Sequence, residues 1–295
     1  MSVNFFDPDF LPPLREVIGA GGLSARHGLG QHFLLDINLI RRIAASAGDL
    51  AGKTVIEVGP GPGGLTRGLL EVAGRVIAIE RDRRCLEALA PLVDAAEGRL
   101  TLIDGDAMEI SPNDLLETGQ SAAIVANLPY NAGTQMLINW LRDLSPIDSM
   151  TLMFQKEVAE RITAPSGSRA YGRLSVLAQW LCETEKLFEV PAAAFVPPPK
   201  VVSTVIALRP RAAPAFPAEF SVLETMTRAA FGQRRKMLRS SLKSAIADPL
   251  EILEEAGIDP TLRAENLSVD NFCAIARAHA VRRAPDRPNT PPEDA

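Results

Sequence analysis

The chain is poor in the residues that build disulfide frameworks and zinc sites. Its 295 residues include only three cysteines and three histidines. The cysteines are Cys85, Cys182 and Cys273, an odd set without the Cys-x-x-Cys spacing of a metal site. Such a set supports neither a disulfide framework nor a zinc centre. We therefore expect a protein that binds no metal and folds without cross-links in a reducing compartment.

Long hydrophobic runs are missing as well. No uninterrupted apolar stretch approaches the ~18 residues that a membrane-spanning helix needs. The N-terminal residues contain neither the cationic region nor the apolar core of a signal peptide. Hydrophobic residues still make up 46% of the chain, enough for one sizeable core and a smaller domain. These features predict a cytoplasmic globular protein without a membrane partner, and since nothing demands a dimer we expect a monomer.

The charges of the chain are unevenly distributed. The formal net charge is -5, which would disfavour binding to nucleic acid if the charges were evenly spread. Between residues 226 and 243, however, there are six basic side chains and no acidic one. They are Arg228, Arg234, Arg235, Lys236, Arg239 and Lys243. The cluster predicts either a surface that attracts phosphates through counterion release or a solvated helix face, and charge alone does not separate these.

Strand-like and helical patterns alternate in the N-terminal part of the chain. The strand-like runs are Thr54–Val58, Arg75–Glu80, Leu100–Asp104, 122–128 and 150–154. Segments with helical spacing, such as 65–73 and 85–96, separate them. This alternation predicts βαβ units and a parallel sheet. After a helical stretch at 173–182, the runs 186–190 and 201–208 are expected to complete the sheet.

The C-terminal part of the chain has a different pattern. Residues 209–217 are rich in proline and alanine and show no period, which indicates a linker. Helical spacing then recurs at 219–231, 235–246, 249–256 and 269–282, and predicts a small all-α domain. We therefore divide the chain into an N-terminal extension (1–24), a first domain (25–208), a linker (209–217), a helical domain (218–283) and a disordered tail (284–295).

A glycine-rich turn follows the strand Thr54–Val58. Gly59, Gly61 and Gly64 match the Gly-x-Gly-x-x-Gly fingerprint, and Glu80 lies where a ribose-binding acid is expected. The same arrangement serves a nicotinamide dinucleotide or S-adenosylmethionine, so both cofactors stay open. Asp106 favours S-adenosylmethionine because its carboxylate can accept a hydrogen bond from an adenine amino group, although it equally suits a helix cap.

The most informative motif is the turn Asn127, Leu128, Pro129 and Tyr130 after the apolar run 122–126. At the carboxyl edge of a parallel sheet, where ligands of open α/β folds bind, it presents amide oxygens beside an aromatic ring. An adenine amino nitrogen is a poor nucleophile because its lone pair is conjugated. The Asn127 oxygen and a carbonyl of Leu128 or Pro129 can favour the localised form by accepting its hydrogens. A polar turn with a tyrosine lid is the alternative interpretation.

A base inside an RNA structure must be extruded and held between flat side chains before it can react. Tyr130 is the expected first wall and Phe195, just before Pro197, the expected second, with a buried core position as the alternative for Phe195. Methylation of cytosine at C5 would instead need a cysteine nucleophile, and no cysteine follows a proline at a strand end. The sequence therefore favours chemistry at an amino nitrogen.

Five motifs, in this order, resemble those of the ribosomal RNA adenine dimethyltransferases. They are 28–34 (Gly-Leu-Gly-Gln-His-Phe-Leu), 57–61 (Glu-Val-Gly-Pro-Gly), 127–130, 195–201 (Phe-Val-Pro-Pro-Pro-Lys-Val) and 231–236 (Phe-Gly-Gln-Arg-Arg-Lys). Each motif is weak alone, but the ordered set spans about residues 25–278 and is highly specific. The last motif resembles the bacterial small-subunit type. Large-subunit relatives that confer antibiotic resistance are usually far more basic than this chain.

The resemblance implies a Rossmann-like S-adenosylmethionine-dependent methyltransferase sheet with a small C-terminal all-α domain. It implies transfer of two methyl groups to each of two adjacent adenosines in a hairpin near the 3′ end of 16S rRNA, within an immature 30S subunit. A large-subunit enzyme and an rRNA-binding assembly factor with secondary catalysis remain as alternatives. His32 departs from the commonest family pattern, which has Asn after Gln, but imidazole still donates or accepts one hydrogen bond.

The residue pattern and the resemblance together assign three groups of site residues. The expected catalytic residues are Asn127, Leu128, Pro129, Tyr130 and Phe195. The expected cofactor-binding residues are Gln31, His32, Leu34, Gly59, Gly61, Glu80, Asp106, Ala107 and Asn127. The expected RNA-binding residues are Arg234, Arg235, Lys236 and Arg239.

Overall fold

The computed structural model describes residues 11–20, 22–23 and 31–283. The predicted disordered tail and most of the predicted N-terminal extension lie outside the described residues, as do Gly28, Leu29 and Gly30 of the first motif. In the described part of the chain, no helix is both long and apolar enough to span a bilayer.

The described residues form two compact units. The first contains the described residues up to Thr163 together with Cys182–Pro210, and the second contains Ala164–Leu181 and the chain from Arg211 onwards. The predicted continuous domain 25–208 therefore differs from the structure at residues 164–181. The helix in this segment packs on C-terminal helices, and the Trp180 indole donates a hydrogen bond to Phe216 O at 2.7 Å. Tertiary contacts rather than chain order decide which unit the segment joins.

The first unit is built on a seven-stranded sheet. The first unit has nine described strands. In chain order they are β1 (Phe33–Leu34), β2 (Thr54–Val58), β3 (Arg75–Glu80), β4 (Leu100–Asp104), β5 (Ala122–Asn127), β6 (Ile147–Gln155), β7 (Cys182–Val190), β8 (Phe195–Val196) and β9 (Ser203–Pro210). β1 and β8 pair separately, and the others form the sheet in the order β4-β3-β2-β5-β6-β9-β7. β2 to β6 pair in parallel, as predicted, whereas β9 is antiparallel to both of its neighbours.

Helices connect the strands of the first unit. They are α1 (Leu14–Ala20), α2 (Ile37–Ser46), α3 (Gly64–Val72), α4 (Arg83–Ala95), α5 (Gly133–Arg142) and α6 (Lys156–Thr163). Asp36 and Asp82 cap α2 and α4, because their carboxylates accept hydrogen bonds from backbone N–H groups of the first turn. α2 and α3 pack so closely that a Cβ at Gly68 would lie 2.6 Å from the Ile40 side chain. These caps and contacts fix where each helix begins beside the sheet.

A buried hydrophobic cluster joins the strands to these helices. It includes Val55 and Val76 from the sheet and Leu69 from α3, each essentially inaccessible to solvent. Leu34 of β1 and Phe195 of β8 belong to the same cluster. The small two-stranded sheet is thus anchored in the core of the first unit, beside the carboxyl ends of β2 to β5.

The second unit is helical, as predicted. Its described helices are α7 (Arg173–Leu181), α8 (Phe220–Gly232), α9 (Leu238–Ser241), α10 (Pro249–Glu255) and α11 (Val269–Arg283). The prediction of one helix over 235–246 is wrong. Lys236 N donates to Gln233 O and closes a turn, while Met237 is extended and forms an isolated bridge with Arg263. Only a short α9 and a single 3-10 turn at Leu242–Ser244 follow.

Candidate active site

A large cavity opens at the carboxyl ends of β2 to β5. It contains about 1030 Å³ of space, including its mouth. Its wall combines the glycine turn, the ends of β3 and β4, the turn at residues 127–130 after β5 and the segment around β1. The predicted residues in the wall are Gln31, His32, Leu34, Gly59, Gly61, Glu80, Asp106, Ala107, Asn127, Leu128, Pro129 and Tyr130. The structure therefore brings together every expected site residue of the first unit except Phe195.

The glycine turn leaves an open cradle beside the end of β2. Gly59 has a φ of +67°, a conformation that side-chain-bearing residues rarely adopt. A Cβ built there would have no heavy atom within 4 Å, so the backbone faces open cavity. At Gly64, by contrast, a Cβ would lie 2.6 Å from Leu34 O. Glycine thus permits close approach of a ligand at one end of the turn and of β1 at the other.

The Glu80 carboxylate is held by the backbone around it. Oε2 accepts from Gly61 N at 3.0 Å, and Oε1 accepts from the amides of Arg81 and Asp82 at 2.9 and 2.8 Å. Burial raises the pKa of Glu80, and these three hydrogen bonds offset part of the rise. Each carboxylate oxygen has two lone pairs, so Oε2 keeps one for a further donor such as a ribose hydroxyl.

Asp106 caps a turn rather than a helix, and it also borders the cavity. Its Oδ1 accepts from Met108 N at 2.9 Å, which is the local capping role. Its Oδ2 pairs with a guanidinium nitrogen of Arg81 at 2.8 Å, and the residue also lines the cavity. The capping contact fixes the carboxylate at the cavity wall, where it remains available to an adenine amino group.

The segment around β1 is fastened to the site at several points. The Gln31 side-chain amide donates to Asp82 Oδ2 at 3.0 Å, and Arg84 binds the same carboxylate at 2.6 Å. The Arg84 hydrogen bond is the largest cause that lowers the pKa of Asp82, to about 2. The His32 imidazole Nδ1 donates to Pro197 O at 2.8 Å. A proton on Nδ1 leaves Nε2 as the acceptor of the neutral ring.

In the described part of the chain, the turn at residues 127–130 presents two oxygens without donors. Asn127 Nδ2 donates to His32 O at 3.1 Å, which orients the amide, and no described residue donates to Asn127 Oδ1. Pro129 O already accepts from Ala132 N and Gly133 N, at 3.1 and 2.8 Å, where α5 begins. No donor to Leu128 O occurs in the described part of the chain. Of the two carbonyls considered from sequence, the one of Leu128 is therefore the free acceptor.

Tyr130 and Phe195 occupy different environments. The Tyr130 hydroxyl is hydrogen-bonded to Ser203 Oγ at 2.7 Å, and its ring lies 5.2 Å from the His32 ring with a 32° tilt. Burial raises the pKa of Tyr130. Phe195 is 1% exposed, belongs to the core cluster and does not line the cavity. The structure does not support it as the second wall of a base pocket; its ring instead meets His32 edge-on at 6.5 Å.

Glu57 is a cavity residue that the sequence reasoning did not assign. It lies within β2 and is 1% exposed, and no described residue forms a hydrogen bond with its Oε2. Burial is the largest cause that raises its pKa, to about 8, and the charge of Glu80 adds to the rise. The Thr66 hydroxyl offsets part of it, although it makes no hydrogen bond of normal geometry. The sequence signal was an acid within the apolar strand Thr-Val-Ile-Glu-Val.

The basic cluster of the second unit is less uniform than its sequence. Arg228 pairs with Glu224 at 3.2 Å, and Arg234 pairs with Glu265 at 2.9 Å while donating to Arg169 O at 2.6 Å. Arg234 therefore has a structural role inside this unit, which the sequence did not predict. Arg228 is exposed although paired, and the other four exposed basic side chains of the cluster are Arg235, Lys236, Arg239 and Lys243.

The donor set of the cavity fits a cationic nucleoside better than a metal. Within the described ranges there is no group of three or more His, Cys, Asp or Glu side chains that could hold a metal ion. The open cradle at Gly59 accommodates close backbone approach, and Glu80 and Asp106 offer acceptors to hydroxyl and amino groups. Glu57, whose Oε2 has no hydrogen-bond partner among the described residues, offers a further carboxyl group. These properties match S-adenosylmethionine.

Sequence comparisons connect this site to known proteins. Residues 22–280 match the model of a family described as ribosomal RNA adenine dimethylase. The chain is 58% identical over 279 residues to ribosomal RNA small subunit methyltransferase A of Azorhizobium caulinodans, covering 93% of this chain and 95% of the relative. It is 55% identical over 272 residues to the protein of the same name from Rhodospirillum rubrum, covering 92% and 93%.

Two solved structures with similar folds have the names of methyl-transfer enzymes. A dimethyladenosine transferase from Plasmodium falciparum matches with a TM-score of 0.71 and 25% identity, over 85% of this chain and 98% of that one. The 23S rRNA methyltransferase ErmE matches with a TM-score of 0.63 and 25% identity, over 83% and 98%. Both share the α/β fold described above.

Proposed function

The chain belongs to the ribosomal RNA adenine dimethylase family, and we propose that this S-adenosylmethionine-dependent rRNA adenine dimethyltransferase modifies two adjacent adenosines in a hairpin near the 3′ end of 16S rRNA. Each adenosine would receive two methyl groups on its exocyclic nitrogen. The small-subunit name of the two bacterial relatives supports this choice over a large-subunit substrate. Membership of a dimethylase family also rejects the nicotinamide alternative, because a nicotinamide dinucleotide is not a methyl donor.

One geometric feature carries the proposal for the target atom. Asn127 Oδ1 and Leu128 O accept from no donor among the described residues, and both lie on one turn that borders the cavity. An exocyclic amino group has two hydrogens and therefore matches this pair. Accepting both hydrogens draws the nitrogen lone pair out of conjugation and directs it away from the turn. Neither oxygen is basic, so the turn holds the hydrogens and does not remove one.

The remaining residues of the turn position the base. Pro129 uses its carbonyl to start α5, which fixes the turn between the sheet and that helix. Tyr130 is half-buried, tethered through Ser203, and offers the face on which an extruded adenine can stack. Each base–aromatic stack contributes ~1–3 kcal/mol, and holding the reactants in line can supply up to ~7–11 kcal/mol of the barrier reduction.

The cofactor would lie along the ends of β2 to β5. S-adenosylmethionine supplies an electrophilic methyl group on a sulfonium when it is bound. Glu80 is expected to accept from its ribose, Asp106 from its adenine amino group, and the open backbone at Gly59 to border its methionine part. Gln31 and His32 fasten the segment that covers this region. The chain thus fixes both reactants on one rigid sheet edge.

The proposed partner is the 16S rRNA within an immature 30S subunit, bound by the chain as a monomer. The exposed cations Arg235, Lys236 and Arg239 of the second unit are proposed to contact phosphates. Support comes from their exposure and from the absence of acidic residues in this stretch of sequence, because uncompensated basic side chains attract a phosphate backbone.

The proposal is tested by methyl incorporation into ribosomal particles from a strain that lacks this protein. Purified protein with labelled S-adenosylmethionine is expected to label 30S particles near the 3′ end of 16S rRNA, and not 50S particles. Labelling of 50S particles alone would support the large-subunit alternative. Binding of 30S particles without any label would support an assembly factor, and absence of both binding and label would reject the proposal.

A further inference from the structure

Glu57 is an acid whose position the assigned cofactor and base contacts leave unexplained. Its carboxyl group is 1% exposed, yet the residue lines the cavity. Oε2 has no hydrogen-bond partner. Burying a polar atom without a partner is unfavourable, and such atoms in native structures require an explanation. Oε2 itself is buried, but the residue lines the cavity, so a ligand bound there is the simplest explanation for a carboxyl group without a partner among the described residues.

The charged group that acts on Glu57 is the carboxylate of Glu80. Strand β3 contributes Glu80, and strand β5 on the other side contributes no titratable group. Helix α3 contributes the Thr66 hydroxyl and Arg67, whose guanidinium donates to Pro12 O at 2.9 Å. Among the described residues, no cation forms an ion pair with Glu57. The other titratable groups of the cavity wall are His32, Arg81, Asp106 and Tyr130.

This environment favours the neutral form of the carboxyl group in the absence of a ligand. Burial and Glu80 raise the pKa of Glu57 to about 8, above the pH of the cell interior. Arg81 is the cation of the cavity wall, and it is engaged by Asp106 at 2.8 Å. A ligand that brings its own positive charge would reverse the balance, because an opposite charge at short range favours the carboxylate.

We propose that Glu57 recognises the positive charge of the cofactor by releasing its proton when the cofactor binds. The inference rests on the proposed use of S-adenosylmethionine at this site. The O–H bond of the carboxyl group breaks, the proton passes to the solvent, and the oxygen keeps the electron pair as a carboxylate facing the cation. No oxidant or other reactant is needed. The cofactor offers two cations, the α-ammonium and the sulfonium, and only the ammonium survives in the product S-adenosylhomocysteine.

Proton release has a measurable consequence for affinity. Where Glu57 is protonated in the free protein and ionised in the complex, the dissociation constant falls by up to about tenfold for each pH unit. The effect ends near pH 8, above which the free protein has already lost the proton. Between pH 6 and pH 8 the affinity of the wild-type protein should therefore rise by up to ~50-fold relative to that of Glu57→Gln, a comparison that corrects for titration of the ligand amine.

Isothermal titration calorimetry of the full chain tests this directly. Binding enthalpies in phosphate and Tris at one pH give the number of protons released. Wild-type protein should release most of one proton per S-adenosylmethionine at pH 7 through Glu57, and close to none at pH 9.5. Glu57→Gln removes this release. Subtracting the proton release of Glu57→Gln from that of the wild-type protein corrects for the ligand amine, which itself titrates near neutral pH. Glu87→Gln, at an exposed position of α4, is the matched control and should behave like wild type.

Two further ligands separate the possible cations. S-adenosylhomocysteine keeps the ammonium alone, and methylthioadenosine has neither cation. Proton release with both S-adenosylmethionine and S-adenosylhomocysteine assigns the ammonium, whereas release with S-adenosylmethionine alone assigns the sulfonium. Release with methylthioadenosine equal to that with S-adenosylmethionine would overturn the inference, because a neutral ligand would then suffice.

The wild-type protein keeps the test decisive even if Glu57→Gln does not fold, which circular dichroism will show. A wild-type affinity for S-adenosylmethionine that is constant from pH 6 to pH 9 overturns the inference. The same result leaves the proposed function intact, since the cofactor still binds. Absence of any binding of S-adenosylmethionine would instead reject the proposed function itself.

Discussion

The side-chain amide of Asn127 donates a hydrogen bond to the backbone carbonyl of His32, with 3.1 Å between Nδ2 and the oxygen. This hydrogen bond joins the turn after β5 to the segment around β1, and both border the cavity. Since the amide nitrogen is bound to a carbonyl, the amide oxygen is the atom left to accept a hydrogen bond. The orientation of the proposed catalytic amide is therefore set by a peptide group 95 residues away.

Replacement of Asn127 by Ala should remove one of the two acceptors for the amino group. Loss of one preorganised catalytic hydrogen-bonding group typically lowers kcat ~10²–10³-fold, and we expect a decrease in this range. Binding to 30S particles should be retained, as measured by sedimentation. Asn38→Ala, at an exposed position of α2 outside the cavity, is the control. Unchanged methyl incorporation by Asn127→Ala would refute the role of this amide.

Replacement of Tyr130 by Ala should weaken binding of the extruded base. Loss of one base–aromatic stack corresponds to ~1–3 kcal/mol, so KM for the RNA substrate should rise by roughly 5- to 150-fold. Tyr130→Phe keeps the ring and removes only the hydrogen bond to Ser203 Oγ. We expect the Phe variant to remain within a few-fold of wild type in KM. Equal losses in the two variants would show that the hydroxyl, rather than the ring, is required.

The exposed and the paired cations of the second unit should respond differently to substitution. Arg235→Ala combined with Lys236→Ala should reduce the slope of log affinity against log salt by roughly one unit for each phosphate that the protein no longer neutralises. Lys53→Ala combined with Lys186→Ala, two exposed positions of the first unit, is the charge-matched control. An unchanged slope in the first double variant would identify the cluster as a solvated surface.

Arg234→Ala should mainly destabilise the second unit, because this side chain binds Glu265 and the carbonyl of Arg169. A hydrogen bond to a charged group typically contributes ~1.5–3 kcal/mol, so the melting temperature should fall. The salt slope of RNA binding should change less than in the double variant. A normal melting temperature with a reduced slope would instead place Arg234 on the RNA.

The stability of the cofactor-free protein should depend on pH through Glu57. Its folded pKa of about 8 lies above the ordinary value of 4.5, so the folded state binds this proton more tightly than the unfolded state. The resulting stabilisation is complete below pH ~4.5 and is lost as the pH rises to about 8, by up to ~1.4 kcal/mol for each pH unit. Glu57→Gln should lack this loss. If the melting temperatures of the two proteins changed by the same amount between pH 5 and pH 8, the assignment of this loss to Glu57 would be contradicted.

The fold could be predicted where local pattern determines structure. β2, β3 and β4 begin and end as predicted, because short apolar runs are bounded by turns and charged residues. α2, α5 and α6 were not predicted. α5 follows Ala132, which makes no side-chain cap, so it lacks a local start signal. β1 and β8 contain two residues each and exist only because distant segments pair.

The site could be predicted in composition but not in its hydrogen bonds. Glycine spacing and strand ends correctly placed Glu80, Asp106 and Asn127 around one cavity. The choice of the Leu128 carbonyl over that of Pro129 depends on where α5 begins, which no motif states. Phe195 and Arg234 became structural residues through partners distant in sequence. The burial of Glu57 at the cavity depends on how β2 and α3 pack, which the motif that contains it does not state.

The most direct test of the central claim is mass spectrometry of nucleosides from 16S rRNA after reaction of 30S particles, lacking this modification, with S-adenosylmethionine. Wild-type protein should produce adenosine that carries two methyl groups on its exocyclic nitrogen, and Asn127→Ala should produce little or none. A methyl group found only on a ribose, a ring carbon or another base, or an undiminished product from Asn127→Ala, would contradict the account.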